Sequence, residues 1–183
     1  MRVRHRTNGR GRGWALILTG LFAIHLLAHL VQVAGRDDLA GGVERVRVQR
    51  LASGRTTTLG GIARGRPLLL VFWTSWCAYC VKELESGAGL AERLSAGPAP
   101  SEVVFVNVRE HPEIVASIPA AAAVTERIVL DTDGRLARAL GVRAYPTYVL
   151  LDSRGQRLWF HEGFDEAIAD EIAPRLARVG RSP

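Results

Sequence analysis

Six consecutive apolar residues, Leu68-Leu69-Leu70-Val71-Phe72-Trp73, follow Gly65-Arg66-Pro67 and run almost directly into the only two cysteines of the chain. A short apolar run without polar alternation is the pattern of a strand buried on both faces. Such a strand sits inside a sheet, with helices covering both sides. The rest of the chain must therefore supply flanking strands and two layers of helix.

The remaining pattern supplies them. Val46-Arg47-Val48 alternates like a short strand, and residues 56–59 continue it or pair with it. From Ala78 to about Ser95 the positions Cys80, Leu84, Leu90 and Leu94 recur at roughly helical spacing, and Gly97-Pro98 ends the segment. Gly87 and Gly89 weaken that helix by about 1 kcal/mol each relative to Ala. A second apolar strand runs from Val103 to Val108, and Pro112 opens a short helix after it. Residues 119–127 are ambiguous, because the alanine run suits a helix and Pro119 interrupts its start. A brief strand at residues 128–130 follows, then a turn at 131–134 and a helix over 135–140 ended by Gly141. Residues 147–151 and 157–160 flank Asp152-Ser153-Arg154-Gly155 as a hairpin. A closing helix is expected over 164–179, with Ile168, Ile172 and Leu176 on one face and Pro174 as a kink. The expected fold class is α/β, a mixed central sheet flanked by helices.

The 183 residues suit one domain with an appendage. That appendage lies at the amino terminus. Residues 14–34, WALILTGLFAIHLLAHLVQVA, carry no acid, Lys or Arg, and as a helix would be about 30 Å long, enough to cross a bilayer. Arg2, Arg4, Arg6, Arg10 and Arg12 precede this run, which places the amino terminus in the cytoplasm under the positive-inside bias. The expected organisation is a basic cytoplasmic segment 1–13, a transmembrane signal-anchor 14–34, a linker 35–42 and a globular domain 43–183. A cleaved signal peptide is the competing reading of the same run. Either puts the domain outside the cytoplasm, where disulfides persist.

The net charge of +6 is concentrated in that terminus. Of the 24 basic residues, the five arginines ahead of the apolar run leave 19 against 18 acids. No charge excess remains for a nucleic-acid footprint.

Cys77 and Cys80 are too few for a disulfide framework or a four-thiolate zinc site, and no closely spaced histidine pair follows them to complete a mixed site. No metal site is expected. A Cys-x-x-Cys at a strand-to-helix junction has its own chemistry. The first thiol sits among unpaired N–H groups at the positive end of the helix dipole, which favours thiolate over thiol. Cys77 is thus the expected nucleophile and Cys80 the resolving thiol. Such a pair completes a two-electron exchange without a cofactor. Spacing alone leaves open half a zinc site shared with another chain, an inert local disulfide, or two unconnected cysteines.

Phe72-Trp73-Thr74-Ser75-Trp76-Cys77-Ala78-Tyr79-Cys80 resembles the active-site signature of thioredoxin-like proteins. The wider layout is similar to the membrane-anchored TlpA, ResA and DsbE group over residues 43–179. The resemblance implies a thioredoxin-like fold and a disulfide-exchanging enzyme on the periplasmic side of a bacterial inner membrane. It implies exported, cysteine-containing protein substrates, among which apocytochrome c and copper-centre assembly proteins serve several members. A membrane electron donor of the DsbD or CcdA type goes with it. Ala144-Tyr145-Pro146-Thr147 looks like the family's cis-proline loop, beside the dithiol in space. Tyr145 and Pro146 would then frame an extended substrate peptide by strand addition, with Trp76 and Tyr79 on the rim. Glu83 matches the acid of a Cys-x-x-Cys-x-x-Glu pattern and would exchange a proton with Cys80. Tyr79 departs from the family, which usually carries Pro there, so the direction of exchange does not carry over. A copper-handling chaperone and a client-binding module without turnover are the alternatives.

Overall fold

The computed structural model describes residues 42–97 and 99–179. The basic segment 1–13, the apolar run 14–34 and nearly all of the linker 35–42 lie outside the described residues. Among those described, no helix is long and apolar enough to cross a membrane.

Seven strands form one mixed sheet: β1 (Arg47–Arg50), β2 (Thr56–Thr58), β3 (Leu68–Trp73), β4 (Glu102–Val108), β5 (Ile128–Asp131), β6 (Thr147–Leu151) and β7 (Arg157–Glu162). Their order is β2-β1-β5-β4-β3-β6-β7. β3, β4 and β5 are mutually parallel, while β6 runs antiparallel to β3 and β1 antiparallel to β5. The six residues of β3 are all buried, as their lack of alternation requires. Leu69, Val71 and Trp73 face one layer, and Leu68, Leu70 and Phe72 face the other.

On the first side lie α2 (Ala78–Ala96) and α5 (Ile168–Val179), with α3 (Pro112–Ala116) contributing Val115. On the second lie α1 (Leu59–Ala63) and α4 (Arg135–Leu140). The sheet with helices on both faces agrees with the expected fold class. Gly87, read above as a weakness of α2, has a packing reason. A Cβ there would stand 2.5 Å from Cζ of Phe105 on β4, so the helix lies close to the sheet only because that Cβ is missing. Gly141 ends α4 with φ at 78°, the left-handed cap its position calls for.

Two segments differ from expectation, and one left ambiguous takes a definite form. Residues 56–58 pair with β1, as one of the two expected options has it, but Leu59 opens α1 instead of continuing the strand, because the Thr58 hydroxyl accepts a hydrogen bond from the Gly61 N–H at 3.0 Å and caps a helix there. The ambiguous stretch is a 3-10 helix, Pro119–Arg127, whose three-residue period buries Ala121 and Val124 on one face. The closing helix starts at Ile168, not Phe164. Asp165 holds the Ala167 N–H with its carboxylate at 2.8 Å and the Ile168 N–H with its carbonyl at 3.2 Å, so the preceding residues form a turn.

Candidate active site

The site lies where the parallel strands end. Trp73 closes β3, three residues cross the sheet edge, and α2 begins at Ala78 with Cys77 as its N-cap. Cys77 Sγ accepts a hydrogen bond from the Cys80 N–H at 3.3 Å. No acid stands in the first turn of α2 to offset its positive end, so the field of the 19-residue helix acts on Cys77. The two cysteines are joined by a disulfide, with Cα atoms 5.2 Å apart. They are unequal in access: Cys77 is partly exposed and Cys80 is 0% exposed.

Antiparallel pairing brings the next component in. Phe72 near the end of β3 pairs with Thr147 at the start of β6, so the residues before Thr147 lie beside the dithiol although 68 positions separate Tyr145 from Cys77. The Tyr145–Pro146 bond is cis. Cys77 Sγ lies 3.6 Å from the Tyr145 carbonyl oxygen. The Thr147 hydroxyl and the Gly163 N–H donate to the Ala144 and Pro146 carbonyls at 2.7 and 2.8 Å and fix the loop from both ends.

Trp76 and Tyr79 are 72% and 65% exposed, large aromatic areas left in water. The Trp76 ring meets Tyr145 edge-on at 5.8 Å, and Tyr79 stacks on Phe164 at 5.8 Å. Lys82 lies over the other ring contact, 4.7 Å from the Phe164 centroid, and pairs with Glu166 at 2.7 Å. Two aromatic pairs, Trp76–Tyr145 and Tyr79–Phe164, thus each take one ring from a residue adjoining a cysteine in the chain.

Glu83, one turn beyond Cys80, is buried at 3% exposure. Its carboxylate accepts a hydrogen bond from the Tyr148 hydroxyl at 2.6 Å. Burial pushes the Glu83 pKa up, the Tyr148 bond partly opposes this, and nearby Asp165 adds to the rise. Tyr148, itself fully buried, holds its proton far more tightly than a free phenol, first through burial and then through the bond to Glu83. Glu83 also lines a cleft of 530 Å³ between α2 and the start of α5, which is bordered by Phe164 and Asp165. Glu83 is therefore a buried proton-holding residue in the wall of an open cleft.

A further residue, Glu110, holds the loop before Cys77. Trp73 pairs with Asn107 at the adjoining ends of β3 and β4, which sets Glu110 against Ser75. The Glu110 carboxylate accepts from the Ser75 N–H at 2.8 Å, from its hydroxyl at 2.5 Å and from Asn107 Nδ2 at 2.6 Å. Cys77, Cys80, Glu83, Trp76, Tyr79, Tyr145 and Pro146 are thus gathered at one end of the sheet. Tyr148, Glu110 and Phe164 are additions that the sequence reading missed. Tyr148 carried a usable signal, since a phenol among Val and Leu on a buried strand needs a partner for its hydroxyl. Glu110 and Phe164 carried none, because their partners are set by register and turn geometry.

The Redoxin family profile matches residues 45–170, more than half of the chain. The chain is 27% identical over 145 residues to sporulation thiol-disulfide oxidoreductase A of Bacillus subtilis, covering 77% of this chain and 85% of that protein. It is 31% identical over 124 residues to the thiol:disulfide interchange protein DsbE of Xylella fastidiosa, covering 65% of this chain and 59% of that protein's length. The crystal structure of a secreted Mycobacterium tuberculosis disulfide oxidoreductase, described as homologous to Escherichia coli DsbE, has the same fold. Its TM-score is 0.54 at 24% identity, over 73% of this chain and 96% of that one. With its only two cysteines joined at the end of the central strand, the chain belongs to the Redoxin family and is a thiol–disulfide oxidoreductase.

Proposed function

We propose that the protein exchanges disulfides with exported proteins outside the cytoplasm, tethered by residues 14–34, with Cys77 attacking and Cys80 resolving. The observation that carries the assignment of roles is the inequality of the two sulfurs, Cys77 partly exposed at the helix N-cap and Cys80 fully buried. In the reducing direction the Cys77 thiolate attacks one sulfur of a client disulfide. An S–S bond forms between Cys77 and the client, and the second client sulfur leaves as a thiolate that takes up a proton. Cys80 then loses its proton, attacks Cys77 Sγ and releases the first client sulfur. Two electrons have passed from the dithiol to the client, and Cys77–Cys80 is left oxidised. The same steps run backwards oxidise a client dithiol.

Glu83 is the base for Cys80 in this reading: its pKa is raised by burial, it shares the buried face of α2 with Cys80, and the adjacent cleft gives the proton a way out. The main chain at Tyr145 receives the client as an added strand, Pro146 holds that residue in place, and Trp76 and Tyr79 lie against the client's flanking side chains. The location is supported by the 21-residue apolar run, which holds no Asp, Glu, Lys or Arg. A membrane dithiol carrier of the DsbD or CcdA type would re-reduce the pair. Apocytochrome c and copper-centre assembly proteins are the clients implied by the family resemblance.

The test is the Cys80→Ser chain expressed in a bacterium with the apolar run intact. It should accumulate mixed disulfides through Cys77 with exported proteins, which mass spectrometry would name. Adducts formed only with cytoplasmic proteins would overturn the location, and no adducts would overturn the mechanism.

A further inference from the structure

Opposite the dithiol, the sheet gathers arginines. Arg66 precedes β3, Arg127 precedes β5, and Arg50 ends the antiparallel β1 beside Val129. Arg55 lies in the β1–β2 turn, Arg64 ends α1, and Arg154 lies in the β6–β7 turn. Topology places all six at the end where β3 and β5 begin. Four acids share this end, and one of them, Glu44, lies with Arg154 in the depression beside Gly155. Glu102 pairs with both Arg66 and Arg127, Asp152 spends a carboxylate oxygen on the Arg154 and Gln156 N–H groups, and Glu126 is exposed. Arg55, Arg64 and Arg154 are exposed and form no ion pair among the described residues. Arg50, Arg64 and Arg127 line one shallow cleft of 280 Å³ together with Glu102 and Glu126, which leaves it one positive charge in excess.

The chain enters the domain at this same end. Gly42 and Val43 share a depression with Arg154 and Gly155, and a Cβ on Gly155 would meet the Glu44 carboxylate at 2.8 Å. Resting on the tether proposed above, we propose that this arginine-bearing end docks on the anionic phosphodiester headgroups of the membrane from which the chain emerges. Guanidinium groups pair with phosphate oxygens through two N–H bonds at once. Several of them spread over a shallow surface suit a plane of headgroups. β4, with seven residues, sets the dithiol back by about 23 Å along the strands. Docked this way, Cys77 faces soluble clients.

The experiment uses the full chain in nanodiscs of phosphatidylcholine, with or without phosphatidylglycerol, and follows hydrogen exchange in peptides covering residues 60–66 and 152–157. Exchange there should slow only with phosphatidylglycerol, and the protection should vanish in 1 M NaCl, where the screening length is about 3 Å. The triple variant Arg55→Gln, Arg64→Asn, Arg154→Gln should lose the protection as well, at about fivefold in affinity per arginine. Asn suits position 64, where φ is 51°. Its reduction of a water-soluble peptide disulfide should be unchanged. Equal exchange on neutral and anionic discs would overturn the docking surface. Equal protection by soluble polyglutamate would overturn its assignment to a membrane. Failure of the chain to remain with neutral discs would instead refute the tether, a separate result, and protection on phosphatidylglycerol vesicles would still decide the docking surface.

Discussion

Replacing Tyr148 by Phe removes one oxygen and leaves the ring in place, so it isolates the bond to Glu83. That bond is 2.6 Å long between two buried side chains, so the substitution takes a donor from a buried carboxylate. Leaving a buried charged acceptor unpaired costs roughly 1.5–3 kcal/mol, against about 1 kcal/mol for a neutral one. The size of the loss therefore depends on the charge of Glu83. Folding raises the Glu83 pKa, so the folded protein holds this proton more readily than the unfolded chain. The associated stability is present in full below the ordinary carboxylate range and is lost as pH rises through the raised folded value. Tyr148 opposes that rise, so its removal pushes the Glu83 pKa further up and steepens the loss. Urea unfolding of the wild type and Tyr148→Phe should show a deficit of about 1 kcal/mol at pH 4, growing to about 2–3 kcal/mol at pH 8. In the Glu83→Gln background the deficit should not change with pH. A deficit equal at pH 4 and pH 8 in the wild-type background would refute the charge-assisted bond.

Gly87→Ala should destabilise the protein by about 1–3 kcal/mol through the clash with Phe105, and Phe105→Leu should relieve part of that loss, as read by thermal unfolding. Glu110→Gln keeps the shape but loses the charge that holds two Ser75 donors, so reduction of a peptide disulfide should slow several-fold. Glu83→Gln should slow resolution by Cys80 by about 100-fold and flatten the dependence of that step on pH, as followed by quenched-flow gels.

The central strand, the dithiol helix and the order of elements could be read from sequence because each rests on a local pattern: the unbroken apolar run 68–73, the roughly helical spacing of Cys80, Leu84, Leu90 and Leu94, and Gly141 as a stop. Glu83 and the Tyr145–Pro146 loop came from resemblance, and no period or spacing in the chain pointed to their proximity to Cys77. The Glu110–Ser75 clamp and the Tyr148–Glu83 bond join residues 35 and 65 positions apart, so they depend on strand order and register. The packing role of Gly87 was hidden for the same reason. Its helix propensity is local, but the Phe105 ring that requires it comes from another strand. The start of α5 was misplaced because Asp165 satisfies two N–H groups ahead of the helix, a choice the apolar periodicity does not record.

The most direct test of the account is a single-turnover reaction of the fully reduced protein with a disulfide-bonded peptide, stopped with acid and resolved by mass. Cys80→Ser should trap close to one peptide per chain on Cys77, and Cys77→Ser should trap almost none in the same time. Equal trapping by the two variants, or trapping on Cys80 alone, would contradict the assignment of Cys77 as the attacking thiolate.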